Sequence, residues 1–275
     1  MKVLGGEPFV RRDIVEILSD VRDIIDPYVM QLTTNGMLTD RTVEALKKIA
    51  WPGLQLRISV DGLEDTHDEM RGVTGSWAKV TRTVHAVAEL KEIFGFKFGI
   101  NFAVTDQSLP ELDAMLEFAQ GVGADLIPGV NVSPFLVGTR PPEVEQQRII
   151  MLDRREEALE AMTRTQVGAR GQLPGIDRVL GRWFTKSTYK QHLMEEAHQF
   201  PCRELKDLLY LLPNGNVVRC GMDHKAIGNV RDQTFDEIWF GRAIEPFRKK
   251  VDSCPGCMQS SVQIMSRIYG GCLDS

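Results

Sequence analysis

The first 132 residues repeat one pattern. A short run alternates apolar and polar side chains, and a longer stretch then repeats its apolar residues at helical spacing. The short runs are Met1–Leu4, Tyr28–Thr34, Leu54–Val60, Lys97–Val104 and Leu126–Val132. Between them, Ile14, Ile17, Leu18, Val21, Ile24 and Ile25 share one helical face. So do Val43, Leu46 and Ile49 after a cap at Thr39 or Asp40, then Trp77, Val80, Val84, Val87 and Leu90, and then Leu112, Met115, Leu116 and Ala119. Strand–helix repeats of this kind predict a parallel sheet with crossover helices.

The strands also bear on function. Leu54, Leu56, Ile58 and Val60 alternate with Gln55, Arg57 and Ser59. Phe98, Ile100, Phe102 and Val104 alternate with Gly99, Asn101 and Ala103. A strand buried on both faces reads as a continuous apolar run, and a small closed barrel fills its interior with branched side chains. A polar second face therefore predicts a cavity that holds a ligand. Glu7, Asn35, Asp61 and Ser133 fall at the strand ends, where ligands sit in α/β sheets.

Beyond this, residues 141–198 are charged, with a weak helical period broken by Gly168, Gly171 and Gly175. Leu208–Leu212 and Val217–Cys220 flank the turn Pro213-Asn214-Gly215-Asn216 and predict a hairpin. Asp236–Lys250 predicts a short helix. The formal net charge of −5, without a basic block, argues against a nucleic-acid partner. No apolar run is long enough to cross a membrane. The N-terminus does not read as a signal peptide, so a reducing cytoplasm is the expected compartment.

Residues 1–201 contain no cysteine; all five lie at Cys202 or beyond. Cys202 is followed by twelve residues, Gly215, four residues and Cys220. Cys254-Pro255-Gly256-Cys257 comes later. The hairpin returns Cys220 towards Cys202, and a two-residue spacer lets Cys254 and Cys257 face one centre. Four thiolates suit zinc or an iron–sulfur cluster, and spacing does not separate the two. Cys272 reads as an unligated thiol, with a spare or a substitute ligand as the other readings.

Read together, the motifs resemble the radical SAM superfamily. Gly5-Gly6-Glu7-Pro8, Thr33-Thr34-Asn35-Gly36 and Ser59-Val60-Asp61-Gly62 close successive strands, and His67-Asp68-Glu69-Met70-Arg71-Gly72 follows. The cysteine pattern, with Gly228-Asn229-Val230 and Phe235-Asp236-Glu237-Ile238-Trp239 inside it, resembles the auxiliary-cluster domain called SPASM or, when reduced, twitch. The resemblance implies an α/β fold: a partial (β/α)6 barrel lacking its first strand–helix unit, then a small α+β cysteine-rich domain. The expected divisions are 1–140 (barrel), 141–198 (helical bridge) and 199–275 (auxiliary domain).

It also implies S-adenosylmethionine cleaved to a 5′-deoxyadenosyl radical that modifies a peptide or small-molecule substrate. A flavodoxin or ferredoxin would donate the electron. Gly5, Gly6, Glu7 and Pro8 would meet the methionine amino group, Ser59 and Asp61 the ribose and methionyl part, and Arg71 the methionine carboxylate. Asn101 would touch adenine or substrate. A solvated loop charge is the other reading of Arg71, a structural amide the other reading of Asn101, and His67 reads as a surface loop histidine. Cys202, Cys220, Cys254 and Cys257 would hold one auxiliary 4Fe-4S cluster. The family's CxxxCxxC loop and first strand are absent from residues 1–275. A second 4Fe-4S cluster is thus expected only in an intact, longer protein, and this chain alone is expected not to generate the radical. The alternatives are a non-catalytic pseudoenzyme and a zinc-stabilised structural protein.

Overall fold

Five strands, β1 (Lys2–Val3), β2 (Met30–Thr34), β3 (Leu54–Ser59), β4 (Lys97–Ala103) and β5 (Gly129–Asn131), pair in chain order as one parallel sheet. The structure is a computed structural model that describes residues 1–125, 129–131, 156–158, 160–161, 202–220 and 223–254. The chain divides into two compact units. One contains the described residues up to 161, and the other those from 202 onward.

Period-two alternation sets the register. Leu32, Leu56 and Phe98 align across β2, β3 and β4, and Ile58 aligns with Ile100. All five are at most 1% exposed, whereas Gln31, Thr33, Gln55, Arg57, Ser59 and Asn101 between them are only half-buried. A one-residue slip would turn every apolar side chain to the polar face. Each large buried side chain contributes about 1.5–3 kcal/mol, so the register is firmly held.

The connecting helices are α1 (Ile14–Asp20), α2 (Thr39–Ile49), α3 (Glu64–Arg71), α4 (Ser76–Phe94) and α5 (Leu112–Gly121). Val80, Val84, Val87 and Leu90 of α4 are buried as their spacing predicts. Three expectations change. Ile24 and Ile25 are 78% and 60% exposed, because α1 runs into a π-helical turn at Val21–Ile25 that takes them out of α phase. Tyr28 is exposed and β2 starts only at Met30. Thr39 and Asp40 do not cap α2 but are its first residues. The Thr39 hydroxyl pairs with that of Thr83 on α4 at 2.7 Å, and Asp40 accepts from Arg82 at 2.6 Å.

In the second unit, β6 (Tyr210–Leu211), β7 (Asn216–Cys220) and β8 (Asp223–Asn229) form an antiparallel sheet. The hairpin stands where its turn signal placed it. The third strand is an addition. Asn229, at the end of β8, donates to the Asn214 carbonyl and to Asn216 Oδ1, and so latches the hairpin turn. The single helix expected over Asp236–Lys250 is two, α6 (Phe235–Trp239) and α7 (Glu245–Asp252), with a 3-10 turn at Arg242–Ile244 between them. Thr234 and Glu237 form a capping box that starts α6. Leu205, Ile244 and Val251 make the core of this unit, and Cys202, Ile227, Trp239 and Phe247 pack against it.

Gly36 follows β2 with φ of 71°, and a Cβ there would come within 2.7 Å of Val80 Cγ2 and 3.0 Å of Ile58 Cγ2. Gly36→Ala combines left-handed strain with overpacking. It is expected to lower unfolding stability by about 2 kcal/mol, read as a reduced urea midpoint by circular dichroism.

Candidate functional site

The loops after β1, β2 and β3 meet at the carboxyl end of the sheet. Glu7 is the organising group. Its Oε1 accepts from the Thr34 hydroxyl at 2.8 Å and from the Phe9 amide at 3.1 Å, and its Oε2 accepts from the Asn35 amide at 2.7 Å. Pro8 opens the 3-10 turn that Glu7 caps. The carboxylate thus ties the Gly5-Gly6-Glu7-Pro8 loop to the end of β2. A Cβ added at Gly5 or Gly6 would meet nothing within 4 Å, so the space over these two peptide groups is open.

Two strands away, Asp61 Oδ2 pairs with an Arg71 terminal nitrogen at 2.8 Å, and Oδ1 accepts from the Ala103 amide at 3.1 Å. Burial pushes the Asp61 carboxyl up, while Arg71 and the Ala103 amide pull it down. Arg71 Nε is buried with no hydrogen-bond partner among the described residues. Ser59 and Asn101 face each other across β3 and β4 on the polar face.

Arg71 ends α3, a helix in the segment read from sequence as a polar loop. Its position is fixed at both ends. Glu111, just before α5, accepts from the Leu63 amide at 2.7 Å and the Thr66 hydroxyl at 2.6 Å, which places a carboxylate at the α3 N-terminus. Asp68 accepts from the Ser76 hydroxyl and the Trp77 amide, both at 2.7 Å, and from the Gly75 amide. These bonds, the Trp77 amide first, hold its carboxyl below the usual range.

His67 is not a surface histidine. It is fully buried, with its ring edge-on to Trp77. Its Nδ1 accepts from the Asp61 amide at 3.0 Å, which requires the neutral ring with the proton on Nε2. Burial, then repulsion from Arg71, lowers its pKa to about 4, against a smaller opposing pull from Asp68. Sequence reasoning missed His67, Asp68 and Glu111 as positioning groups. Only the run His67–Gly72 carried a signal, and it drew attention to Arg71 alone.

In the second unit, Cys202, Cys220 and Cys254 are half-buried. Cys202 packs on the Leu205–Val251 core, and the Cys254 amide donates to the Val251 carbonyl at 3.1 Å. Glu204, two residues from Cys202, interacts electrostatically with Arg219, the neighbour of Cys220. These links bring the segments of the three thiols into one small core, and soft sulfur donors fit iron–sulfur or zinc ligation. Glu204 is 1% exposed, with neither carboxylate oxygen hydrogen-bonded among the described residues. Burial raises its pKa to about 7. Among the described residues no three His, Cys, Asp or Glu side chains form a metal-holding group. Cys257 and Cys272 lie outside the described residues.

The buried neutral His67 makes stability pH-dependent. The unfolded chain binds a proton near pH 6.5 and the folded one only near pH 4, so stability falls on acidification between these values. From pH 7 to pH 5 this single group is expected to cost about 2 kcal/mol. His67→Gln should lose that part of the pH dependence, as measured by urea unfolding at the two pH values.

Both units resemble known proteins. Residues 1–119 match the radical SAM superfamily, and residues 202–258 match SPASM, an iron–sulfur cluster-binding domain. An AdoMet-dependent heme synthase of Methanosarcina barkeri (strain Fusaro / DSM 804) is 30% identical over 90% of this chain and 69% of its own length. The PqqA peptide cyclase of Granulibacter bethesdensis (strain ATCC BAA-1260 / CGDNIH1) is 26% identical over 99% of this chain and 68% of its own length. An Fe-coproporphyrin III synthase of the same Methanosarcina strain is 24% identical over 86% of this chain and 60% of its length. Among solved structures, native anSMEcpe with bound AdoMet and Cp18Cys peptide superposes with a TM-score of 0.53 at 16% identity, over 91% of this chain and 69% of that one. The chain thus spans about two thirds of the length of these proteins. No helix among the described residues is long and apolar enough to cross a membrane. Its paired motifs, its parallel sheet and its thiol-bearing second unit are those of one family: the chain belongs to the radical SAM superfamily and carries a C-terminal SPASM iron–sulfur cluster-binding domain.

Proposed function

We propose that the intact protein is a cytoplasmic radical SAM enzyme that modifies a peptide or a cofactor precursor, drawing its electron from a flavodoxin or ferredoxin. Its divisions would be a barrel at 1–140, a bridge at 141–198 and an auxiliary domain at 199–275. The observation that carries this reading is the rim at the carboxyl end of the sheet. There, open glycine peptides, an anchored carboxylate and a partly exposed guanidinium stand at the same end of the sheet. The relatives named for making heme, for coproporphyrin chemistry and for cyclising a peptide support the substrate class.

S-adenosylmethionine, when bound, would supply the radical chemistry. The residues of this chain bind and orient. Glu7 has used three of roughly four acceptor positions on neighbouring groups, so it is rigid and has one left for an ammonium. Pro8 stiffens the loop that presents Gly5 and Gly6. Arg71, steadied by Asp61, keeps its side chain partly exposed to meet a carboxylate. Ser59 and Asn101 line the polar face for the ribose, the adenine or the substrate. Cys202, Cys220, Cys254 and Cys257 would hold one auxiliary 4Fe-4S cluster.

A second reading is a pseudoenzyme that binds without reacting. It is favoured by the absence of cysteine from residues 1–201. By themselves residues 1–275 offer no thiolates for the radical-generating cluster at the rim, so this chain alone is expected to bind S-adenosylmethionine without cleaving it. An upstream CxxxCxxC in the same reading frame would exclude the pseudoenzyme.

Anaerobically reconstituted residues 1–275 should contain about four irons with matching sulfide. About one zinc instead would sink the cluster assignment. Arg71→Lys keeps the charge but loses the planar fork. It should weaken S-adenosylmethionine binding by about tenfold or more by calorimetry, and unchanged affinity would remove Arg71 from the site.

A further inference from the structure

Helix α3 reaches Asp61 twice from one face. His67 and Arg71 lie four residues apart, so their side chains stand one turn from each other. His67 Nδ1 accepts from the Asp61 backbone amide at 3.0 Å, and an Arg71 terminal nitrogen pairs with Asp61 Oδ2 at 2.8 Å. The Ala103 amide donates to Oδ1 at 3.1 Å. Asp61 is therefore held by its main chain and by its side chain, from a helix on one side and a strand on the other. The loop that leaves it is tightly packed, since a Cβ on Gly62 would come within 2.5 Å of Thr66 Cγ2.

The His67 ring makes this one hydrogen bond. It is fully buried, and its Nε2 has no hydrogen-bond partner among the described residues. A buried N–H without a partner is a cost that a leucine in the same place would not carry. What a leucine would lack is the acceptor for the Asp61 amide. Burial, then the charge of Arg71, keeps the ring neutral by lowering its pKa to about 4, so Nδ1 retains the lone pair that the bond needs. The Arg71 and Asp61 side chains are 30% and 15% exposed. A ligand at the rim meets them and not His67.

We propose that His67 is a positioning residue for S-adenosylmethionine: it sets the Asp61 peptide, through Asp61 it aims the Arg71 guanidinium, and the three side chains act as one binding unit. The inference rests on the reading of the rim as the S-adenosylmethionine site, and adds to it a residue that touches no ligand. Without the Nδ1 acceptor the Asp61 amide is left unpaired and the loop is free to turn. The carboxylate turns with it, and Arg71 loses the partner that preorganises its fork.

Two variants separate positioning from packing. His67→Asn places an oxygen two bonds beyond Cβ, where the ring has Nδ1, and keeps the acceptor. His67→Leu fills similar space without one. In calorimetric titrations of residues 1–275 with S-adenosylmethionine, His67→Leu should bind about fivefold or more weakly, and His67→Asn should stay within about twofold of the unaltered chain. His67→Leu and Arg71→Lys together should lose less than the product of their separate losses, because each disables the same unit. Unchanged affinity in His67→Leu overturns the proposal. So do equal losses in the two His67 variants, which would mean packing alone, and losses that multiply.

If His67→Leu fails to fold, the unaltered chain labelled with nitrogen-15 decides by magnetic resonance. A scalar coupling should join the Asp61 amide nitrogen to His67 Nδ1, and saturating S-adenosylmethionine should shift the Nδ1 resonance although it does not touch the ring. Absence of the coupling, or a resonance indifferent to the ligand, overturns the proposal. An unaltered chain that does not bind S-adenosylmethionine would overturn the reading of the rim itself. Binding that is insensitive to His67 would overturn this inference alone.

Discussion

Parallel sheets are ordinarily sandwiched between helices, and their strands then read as unbroken apolar runs. Here only one face of the sheet is dressed that way. Leu32, Leu56, Ile58, Phe98 and Ile100 are buried, while their neighbours in sequence are glutamine, threonine, arginine, serine and asparagine. That single asymmetry governs much else. It fixes the register, because a slip would bury charge, and it leaves a polar face opposite the apolar one that the described helices cover. The strand ends of that surface converge on Glu7 and Asp61. The candidate site and the folding code therefore draw on the same alternation.

The rim is rigid because its charged groups do structural work on one another. Glu7 joins two strand-ending loops. Asp61 holds Arg71, and the Asp61 amide donates to His67, so strand end and helix α3 are bound in both directions. Glu111 and Asp68 then fix α3 against the helices on either side. A guanidinium held this way loses little freedom on meeting a carboxylate, which is the advantage of a preorganised site.

Much of this was legible in the residues. Alternation located every strand of the parallel sheet, because a strand with one wet face cannot disguise its period. The buried face of α4 was equally plain. Other features were silent for identifiable reasons. Ile24 and Ile25 fit a helical stripe, but a π turn shifts them into solvent, and a period count has no means of registering the extra residue. Thr39 and Asp40 look like caps, but partners on α4, forty residues away, draw their side chains off. His67 looks like a loop histidine because its burial depends on Trp77 and on the Asp61 amide, both supplied by tertiary structure. In the second unit the turn at Gly215 was readable and the strand β8 was not, since its alternation is broken by bulges against β7.

The order of the strands in space is also their order in the chain. Each newly made strand pairs with the strand finished just before it. No strand must wait for a distant sequence to arrive, and none has to be threaded between two already paired. A sheet of this kind grows from one side as the ribosome delivers it, keeping loop closures short at each addition. The growing edge is the most recent strand, so during synthesis the polar face would be extended strand by strand from β1 towards β5.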